Sequence, residues 1–148
     1  MGDTSNPEIL QRYEGYIAAH RYADVPLDAD LTLQSSFEVE SAEAAISSLL
    51  ERGITFDAIV GANDLIAMAA IRCLLRGGLS VPSDVSVVGY DNLQLSAYGY
   101  PSLSTISQDP ARAGRMMVAK LIASADMGAM RSERLPTELI VRESCGLA

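Results

Sequence analysis

Residues 77–92 read GGLSVPSDVSVVGYDN, and their pattern predicts a buried parallel strand that ends at a carboxylate. Val85, Val87 and Val88 form a short β-branched run of the kind found in parallel strands buried on both faces. Asp91 follows this run directly. In open α/β sheets, ligands bind at the carboxyl ends of the strands, because the loops after them form the rim of a crevice. Asp91 is therefore expected at a ligand-binding edge.

Two other runs have the same form. Residues 31–36 are predicted as a strand that ends at Phe37, and residues 57–62 as a strand that ends at Asn63 and Asp64. Parallel strands bring their carboxyl ends to one edge of the sheet. An aromatic ring, a carboxamide and a carboxylate are thus expected along that edge.

Helical and extended patterns alternate along the whole chain. Asn6-Pro7 and Asp109-Pro110 each predict a helix start, with a capping side chain followed by proline at the first helical position. Further helices are predicted from about Ser41 to Arg52 and from Asp64 to the Gly77-Gly78 pair, and later strands at 103–107 and 139–142. This alternation predicts an α/β fold, a parallel sheet with helices on both faces. No linker divides the chain, so residues 1–148 are expected to form one domain.

Composition excludes several classes of function. The 148 residues carry a net charge of −8, which disfavours binding to a phosphate backbone. The two cysteines and the single histidine lack metal-ligand spacing, so neither a metal nor a cofactor is expected. Neither a secretory signal nor a membrane-spanning run is present in the sequence. A cytoplasmic location follows as the expectation.

Five motifs carry a family resemblance. They are RYEGY at 12–16, ANDLIAM at 62–68, GLSVPSDVSVVGYD at 78–91, PSLSTISQ at 101–108 and LPTELIVRES at 135–144. In this order they closely resemble the lactose-repressor/galactose-repressor family of bacterial transcription regulators. The resemblance implies the C-terminal part of an effector-binding region, in a periplasmic-binding-protein-like fold with two lobes around a small molecule. It also implies that this chain is an incomplete lobe without the DNA-binding headpiece.

The resemblance implies five ligand-binding residues: Arg12, Phe37, Asn63, Asp91 and Gln108. A carboxylate such as Asp91 can accept hydrogen bonds from two adjacent sugar hydroxyls, although an aspartate there can also simply close a turn. Asn63 offers a donor and an acceptor but is also a possible helix cap, a role for which Asp64 is available. Phe37 can form a flat wall against a ring or pack in the core. Arg12 can be a surface residue, and Gln108 can serve a ligand or a hinge.

Enzymatic function is not expected. The sequence lacks a glycine-rich phosphate loop, and its only lysine, Lys120, lies in a predicted helix. His20 has no partner at catalytic spacing and suits a helix terminus.

The interpretation is a lobe that senses a small molecule, a sugar or related polar metabolite, in a regulator that forms a homodimer. The isolated lobe is expected to self-associate and to contact DNA only through a headpiece it does not contain. Two alternatives remain: a lobe of a transport-type sugar-binding protein of the same fold, and a truncated chain without a sensing role.

Overall fold

The computed structural model describes residues 5–36, 38–127 and 133–146, and of residues 124–127 the backbone only. Helices and strands alternate through most of these ranges. In chain order the elements are α1 (Pro7–Tyr22), α2 (Val39–Glu51), β1 (Ala58–Val60), α3 (Asp64–Arg76), β2 (Ser86–Tyr90), β3 (Ser104–Ser107), α4 (Pro110–Met127) and β4 (Glu138–Ile140). Short 3₁₀ helices lie at Ala29–Leu31, Gln94–Ala97 and Glu143–Cys145. The predicted α/β class is confirmed.

Capping side chains start two of the helices as predicted. The Asn6 side chain accepts a 2.9 Å hydrogen bond from the Glu8 amide, and the Asp109 side chain accepts a 2.8 Å bond from the Arg112 amide. Each cap satisfies a backbone donor that the first helical turn leaves unpaired. Helix α3 ends at Arg76, directly before Gly77, also as predicted.

The sheet has the order β1-β2-β3-β4. Strands β1, β2 and β3 are parallel neighbours, but β4 is antiparallel to β3, which corrects the expectation of a wholly parallel sheet. Ser107 at the end of β3 pairs with Glu138 at the start of β4. The chain therefore leaves β3 and enters β4 at the same end of the sheet, so β4 runs antiparallel to β3.

The strand predicted at 31–36 is wrong. Residues Ala29–Leu31 form a 3₁₀ helix, capped by the Asp28 side chain, which accepts from the Asp30 amide at 2.9 Å. Residues 32–36 belong to no strand. Alternating apolar residues can form a strand only beside a hydrogen-bonded neighbour, and in the described part of the chain β1 pairs with β2 alone.

The main core lies between α3 and the sheet. It is formed by Ala67, Ile71, Leu74, Val85, Val87 and Leu103. Leu74 and Val87 are fully buried, and burial of a side chain of this size stabilises a fold by about 1.5–3 kcal/mol. Gly89 of β2 permits the close approach of α3, because a Cβ there would collide with the Asp64 carboxylate. This packing fixes the carboxyl ends of β1 and β2 beside the start of α3.

Within the described ranges, no helix has both the length and the apolar composition to cross a membrane. The same residues include no cluster of three or more His, Cys, Asp or Glu side chains that could bind a metal ion.

Candidate functional site

Asp91 lies at the carboxyl end of β2 in an unusual backbone conformation. Its φ is 105° and that of Asn92 is 50°, so both residues lie in the region that favours glycine. Such conformations cost on the order of 1–3 kcal/mol each and persist only where the surroundings hold them. The Asp91 amide donates a 2.9 Å hydrogen bond to the Ile106 carbonyl of β3, which anchors the turn to the sheet.

Side chains of two other segments, Thr105 of β3 and Arg142 after β4, hold the turn in place. The Asn92 amide donates to the Thr105 hydroxyl at 3.2 Å, and the Arg142 guanidinium donates to the Asn92 side-chain oxygen at 2.7 Å. Arg142 also donates to the Leu103 carbonyl at 2.6 Å. The C-terminal motif that contains Arg142 thus fixes the strained turn, a role that sequence reasoning missed because nothing local to 142 points to residue 92.

Asp64 is the buried anchor of the same turn. Its carboxylate accepts a 2.5 Å hydrogen bond from the Thr105 hydroxyl and a 2.7 Å bond from the Leu93 amide. The residue is fully buried. It is structural, as expected, but it does not cap α3. The sequence carried one signal for this role, because Asp64 is an acidic residue on the apolar face of a predicted helix.

Asn63, not Asp64, caps helix α3. Its side-chain oxygen accepts a 2.9 Å hydrogen bond from the Ile66 amide. The prediction that Asp64 supplies the cap is therefore wrong, because the Asp64 oxygens are engaged with Thr105 and Leu93. Asn63 is partly exposed, and its amide group is a donor at the carboxyl end of β1. A ligand contact by Asn63 stays a prediction.

Arg12 reaches this edge from helix α1. One guanidinium nitrogen donates a 2.6 Å hydrogen bond to the Ala62 carbonyl, and the other lies 3.5 Å from the Asp91 carboxylate. The guanidinium carbon also lies 3.8 Å from the centre of the Tyr90 ring. A cation stacked on an aromatic face in this way is held flat and oriented. Arg12 is thus not a freely solvated surface residue, and Tyr90 is a member of the site that sequence reasoning missed.

Gln108 completes the group around Asp91. Its side-chain nitrogen donates a 3.3 Å hydrogen bond to the Asp91 carboxylate. Burial raises the pKa of Asp91, although the Arg12 guanidinium and the Gln108 hydrogen bond oppose the rise, and Asp64 and Glu8 add to it. The carboxylate is 34% exposed, so it keeps a face open to solvent beside its two partners.

The structure brings Arg12, Asp91 and Gln108 into direct contact, with Asn63 at the adjacent strand end. Phe37 lies outside the described residues, so its predicted place beside them stays untested. The contacting groups supply donors from a guanidinium and a carboxamide, and an acceptor from a carboxylate. Such a set can bind a small polar molecule with several hydroxyl groups.

Comparison with known proteins assigns the chain to a family. The family described as periplasmic binding protein-like domain matches residues 1–145. One similar relative is the HTH-type transcriptional repressor PurR from Aliivibrio fischeri strain MJ11, which is 39% identical over 123 residues. That alignment covers 82% of this chain and 36% of the repressor. The chain thus spans well under half of this curated relative.

Comparison with solved structures supports the same assignment. A complex of the transcriptional regulator CelR with cellobiose is 34% identical with a TM-score of 0.82, covering 91% of this chain and 42% of that one. A lac repressor dimer bound to operator and an anti-inducer is 28% identical with a TM-score of 0.90, covering 97% and 50%. The chain belongs to the periplasmic binding protein-like family and corresponds to the C-terminal part of the effector-binding region of lactose-repressor/galactose-repressor regulators.

Proposed function

We propose that this chain is the effector-sensing lobe of a cytoplasmic transcriptional regulator, and that its effector is a sugar or similar polyhydroxylated molecule. The observation that carries the proposal is the group formed by Arg12, Asp91 and Gln108 at the carboxyl edge of the sheet. Repressors among the relatives support regulation, and the cellobiose complex of CelR supports a sugar.

The contacts of this group suit vicinal hydroxyls. Asp91 has one oxygen near Arg12 and Gln108 and a second oxygen that can accept from a ligand hydroxyl. Arg12 has five N–H donors, and only some are occupied by the Ala62 carbonyl and Asp91. Charge-assisted hydrogen bonds of this kind are stronger than neutral ones and depend on direction. Recognition therefore rests on hydroxyl geometry and not on ligand charge.

The mechanism in the parent regulator is a shift between two states. A ligand held by this lobe and a facing lobe favours one closure angle, and the angle sets how a homodimer presents its DNA-binding headpieces. The ligand can shift this equilibrium only by its difference in affinity for the two angles. No chemical step is involved, so the lobe is not an enzyme.

A purine base is the competing effector class. The amide groups of Asn63 and Gln108 could pair with the polar edge of a heterocycle, and the Arg12 guanidinium could stack on its face. In that case binding would not depend on an acceptor for paired hydroxyls. Asp91→Asn, which keeps the shape but removes the charge, would then weaken binding little.

Calorimetric titration of the chain with cellobiose, galactose and adenine tests the proposal. We expect saturable binding of a sugar, weakened by Asp91→Ala at least about tenfold, since a lost charge-assisted hydrogen bond costs about 1.5–3 kcal/mol. Glu51→Ala, which removes an exposed carboxylate at the end of α2, is the matched control and should bind as the parent does. Binding of adenine alone, or of no probe at all, would contradict the proposal of a sugar effector.

A further inference from the structure

Tyr90 is the last residue of β2 and lies directly before Asp91. Successive residues of a strand point to opposite faces of the sheet. Val87 packs in the core with α3, and a Cβ at Gly89 would collide with the Asp64 carboxylate of that helix. Tyr90 therefore points away from α3, and it is only partly buried. An aromatic ring is thus placed at the carboxyl edge of the sheet, on the face opposite α3.

The ring of Tyr90 carries the guanidinium of Arg12, whose central carbon lies 3.8 Å from the ring centre. The face of an aromatic ring is electrically negative, so it attracts a cation placed over it. Arginine also stacks well on aromatic rings, because its guanidinium is planar and weakly hydrated. Tyr90 therefore attracts Arg12 by charge as well as by contact.

Other acceptors compete for the same guanidinium. The Ala62 carbonyl accepts a 2.6 Å hydrogen bond from one terminal nitrogen, and the other nitrogen lies 3.5 Å from Asp91 and 3.8 Å from Glu8. The Glu8 side chain is 80% exposed and lies one turn earlier on α1, so it draws the guanidinium toward solvent. Tyr90 and Ala62 draw it toward the turn at Asp91. The orientation of Arg12 is thus set by opposing contacts.

The orientation of Arg12 before a ligand arrives affects how tightly the ligand binds. A long side chain loses rotamer freedom when it is fixed in one geometry. If the side chain is already held, binding no longer has to order it, and affinity rises. If it rotates freely, only a fraction of the molecules are ready to bind, and affinity falls by that fraction.

We propose that Tyr90 is a positioning residue for effector recognition, and that the negative face of its ring holds the Arg12 guanidinium beside Asp91. This inference rests on the proposed function, in which Arg12 donates hydrogen bonds to the effector. The ring acts through its face, so the Tyr90 hydroxyl is not required. Loss of the ring frees Arg12 to turn toward Glu8 and lowers affinity.

Nuclear magnetic resonance of the chain without ligand tests the positioning itself. The Nε–H group of Arg12 is expected to show a ring-current shift and a higher order parameter than that of Arg21, which is exposed in the last turn of α1. Tyr90→Leu should remove the shift and lower the order parameter, whereas Tyr90→Phe should keep both. An unchanged order parameter in Tyr90→Leu would overturn the proposal. Because this measurement needs no ligand, it decides the proposal even if the chain binds no sugar, a result that would contradict the proposed function alone.

Calorimetric titration with cellobiose tests the effect on binding. Tyr90→Leu should weaken binding about two- to fivefold, and Tyr90→Phe should recover most of that loss. Tyr22→Leu is the matched control, at a tyrosine that is 95% exposed at the end of α1, and should bind as the parent does. In a chain that carries Arg12→Met, Tyr90→Leu should have no further effect, because the ring acts through the guanidinium. An equal loss with and without Arg12 would overturn the proposal.

Fluorinated phenylalanines at position 90 separate the charge of the ring from its shape. One, two and three ring fluorines withdraw charge from the face in steps and change the size of the ring little. The order parameter of Arg12 and the affinity for cellobiose should fall in the same order. This series also keeps the proposal testable if circular dichroism shows that Tyr90→Leu does not fold. An order parameter that is the same for all three would overturn the proposal, because the ring would then act by shape alone.

Discussion

The guanidinium of Arg12 and the carboxylate of Asp91 lie 3.5 Å apart, which joins the first helix to the turn after β2. The pair is partly exposed, with side-chain exposures of 21% and 34%. An ion pair of this kind adds only about 0–1 kcal/mol to stability. The pair is therefore expected to contribute little to the stability of the fold, and its role in ligand binding stays a prediction.

Replacement of Arg12 should separate binding from stability. Arg12→Met is expected to reduce effector affinity roughly tenfold or more, because one or more charge-assisted bonds of about 1.5–3 kcal/mol are lost. Urea unfolding should shift by no more than about 1 kcal/mol. Arg21→Met, on the exposed surface of the same helix, is the control. A large loss of stability with unchanged affinity would assign Arg12 a structural role.

Effector affinity should fall in acid at a higher pH than an ordinary aspartate would cause. Burial raises the pKa of Asp91 above its usual 3.8, and the ionised form accepts hydrogen bonds from hydroxyls more strongly than the protonated form does. Because the folded pKa is raised, the stability contribution of this group is fully present below the unfolded pKa and is lost as pH rises through the folded pKa. Affinity and stability therefore change in opposite directions with pH.

Calorimetry between pH 4 and pH 7 measures the first effect and denaturant unfolding the second. Asp91→Asn should remove both pH dependences. An affinity of the parent that is unchanged across this range would show that ionisation of Asp91 plays no part in binding.

The buried pair of Asp64 and Thr105 should behave as one unit. Asp64→Asn is expected to lower the free energy of unfolding by about 1.5–3 kcal/mol, since it weakens two hydrogen bonds to a buried carboxylate. Thr105→Val should cost about 1–3 kcal/mol. A double-mutant cycle by urea unfolding should give a coupling energy above about 0.5 kcal/mol. Additive effects would mean that the two side chains act independently.

Glu143 should contribute a pH-dependent part of stability. Hydrogen bonds from the Ser102 amide at 2.7 Å and the Ser102 hydroxyl at 2.9 Å lower its pKa. A depressed folded pKa gives stability that is present above the unfolded pKa and is lost as pH falls through the folded pKa. Glu143→Gln should remove that loss in unfolding curves taken from pH 7 to pH 3, whereas Glu138→Gln, exposed on β4, should retain it.

The sequence predicted the parts of the fold that depend on local pattern. The valine run at 85–88, the caps at Asn6 and Asp109 and the glycine end of α3 each follow from short-range chemistry, and all three are confirmed. The predicted strand at 31–36 failed because strand formation depends on a neighbour, which local pattern does not encode. The antiparallel direction of β4 was also not predicted, because it depends on the path of the chain between β3 and β4.

The sequence predicted residues of the candidate site but not the side chains that hold them in place. Arg12, Asp91 and Gln108 followed from family resemblance, and the structure brings them together. The supports, Asp64 and Arg142, act through contacts with residues distant in sequence, such as Thr105 and Asn92. A single sequence does not show which distant residues such side chains contact.

Nuclear magnetic resonance mapping is the most direct test of the central claim that this edge of the sheet binds the effector. Cellobiose is titrated to millimolar concentration into ¹⁵N-labelled chain, and amide shifts are followed for the parent and for Asp91→Ala. We expect saturable shifts clustered at Asn63, Asp91 and Gln108 and at the Arg12 side chain, and their loss in the variant. Shifts confined to another surface, or shifts that persist unchanged in Asp91→Ala, would show that the effector does not bind at this edge.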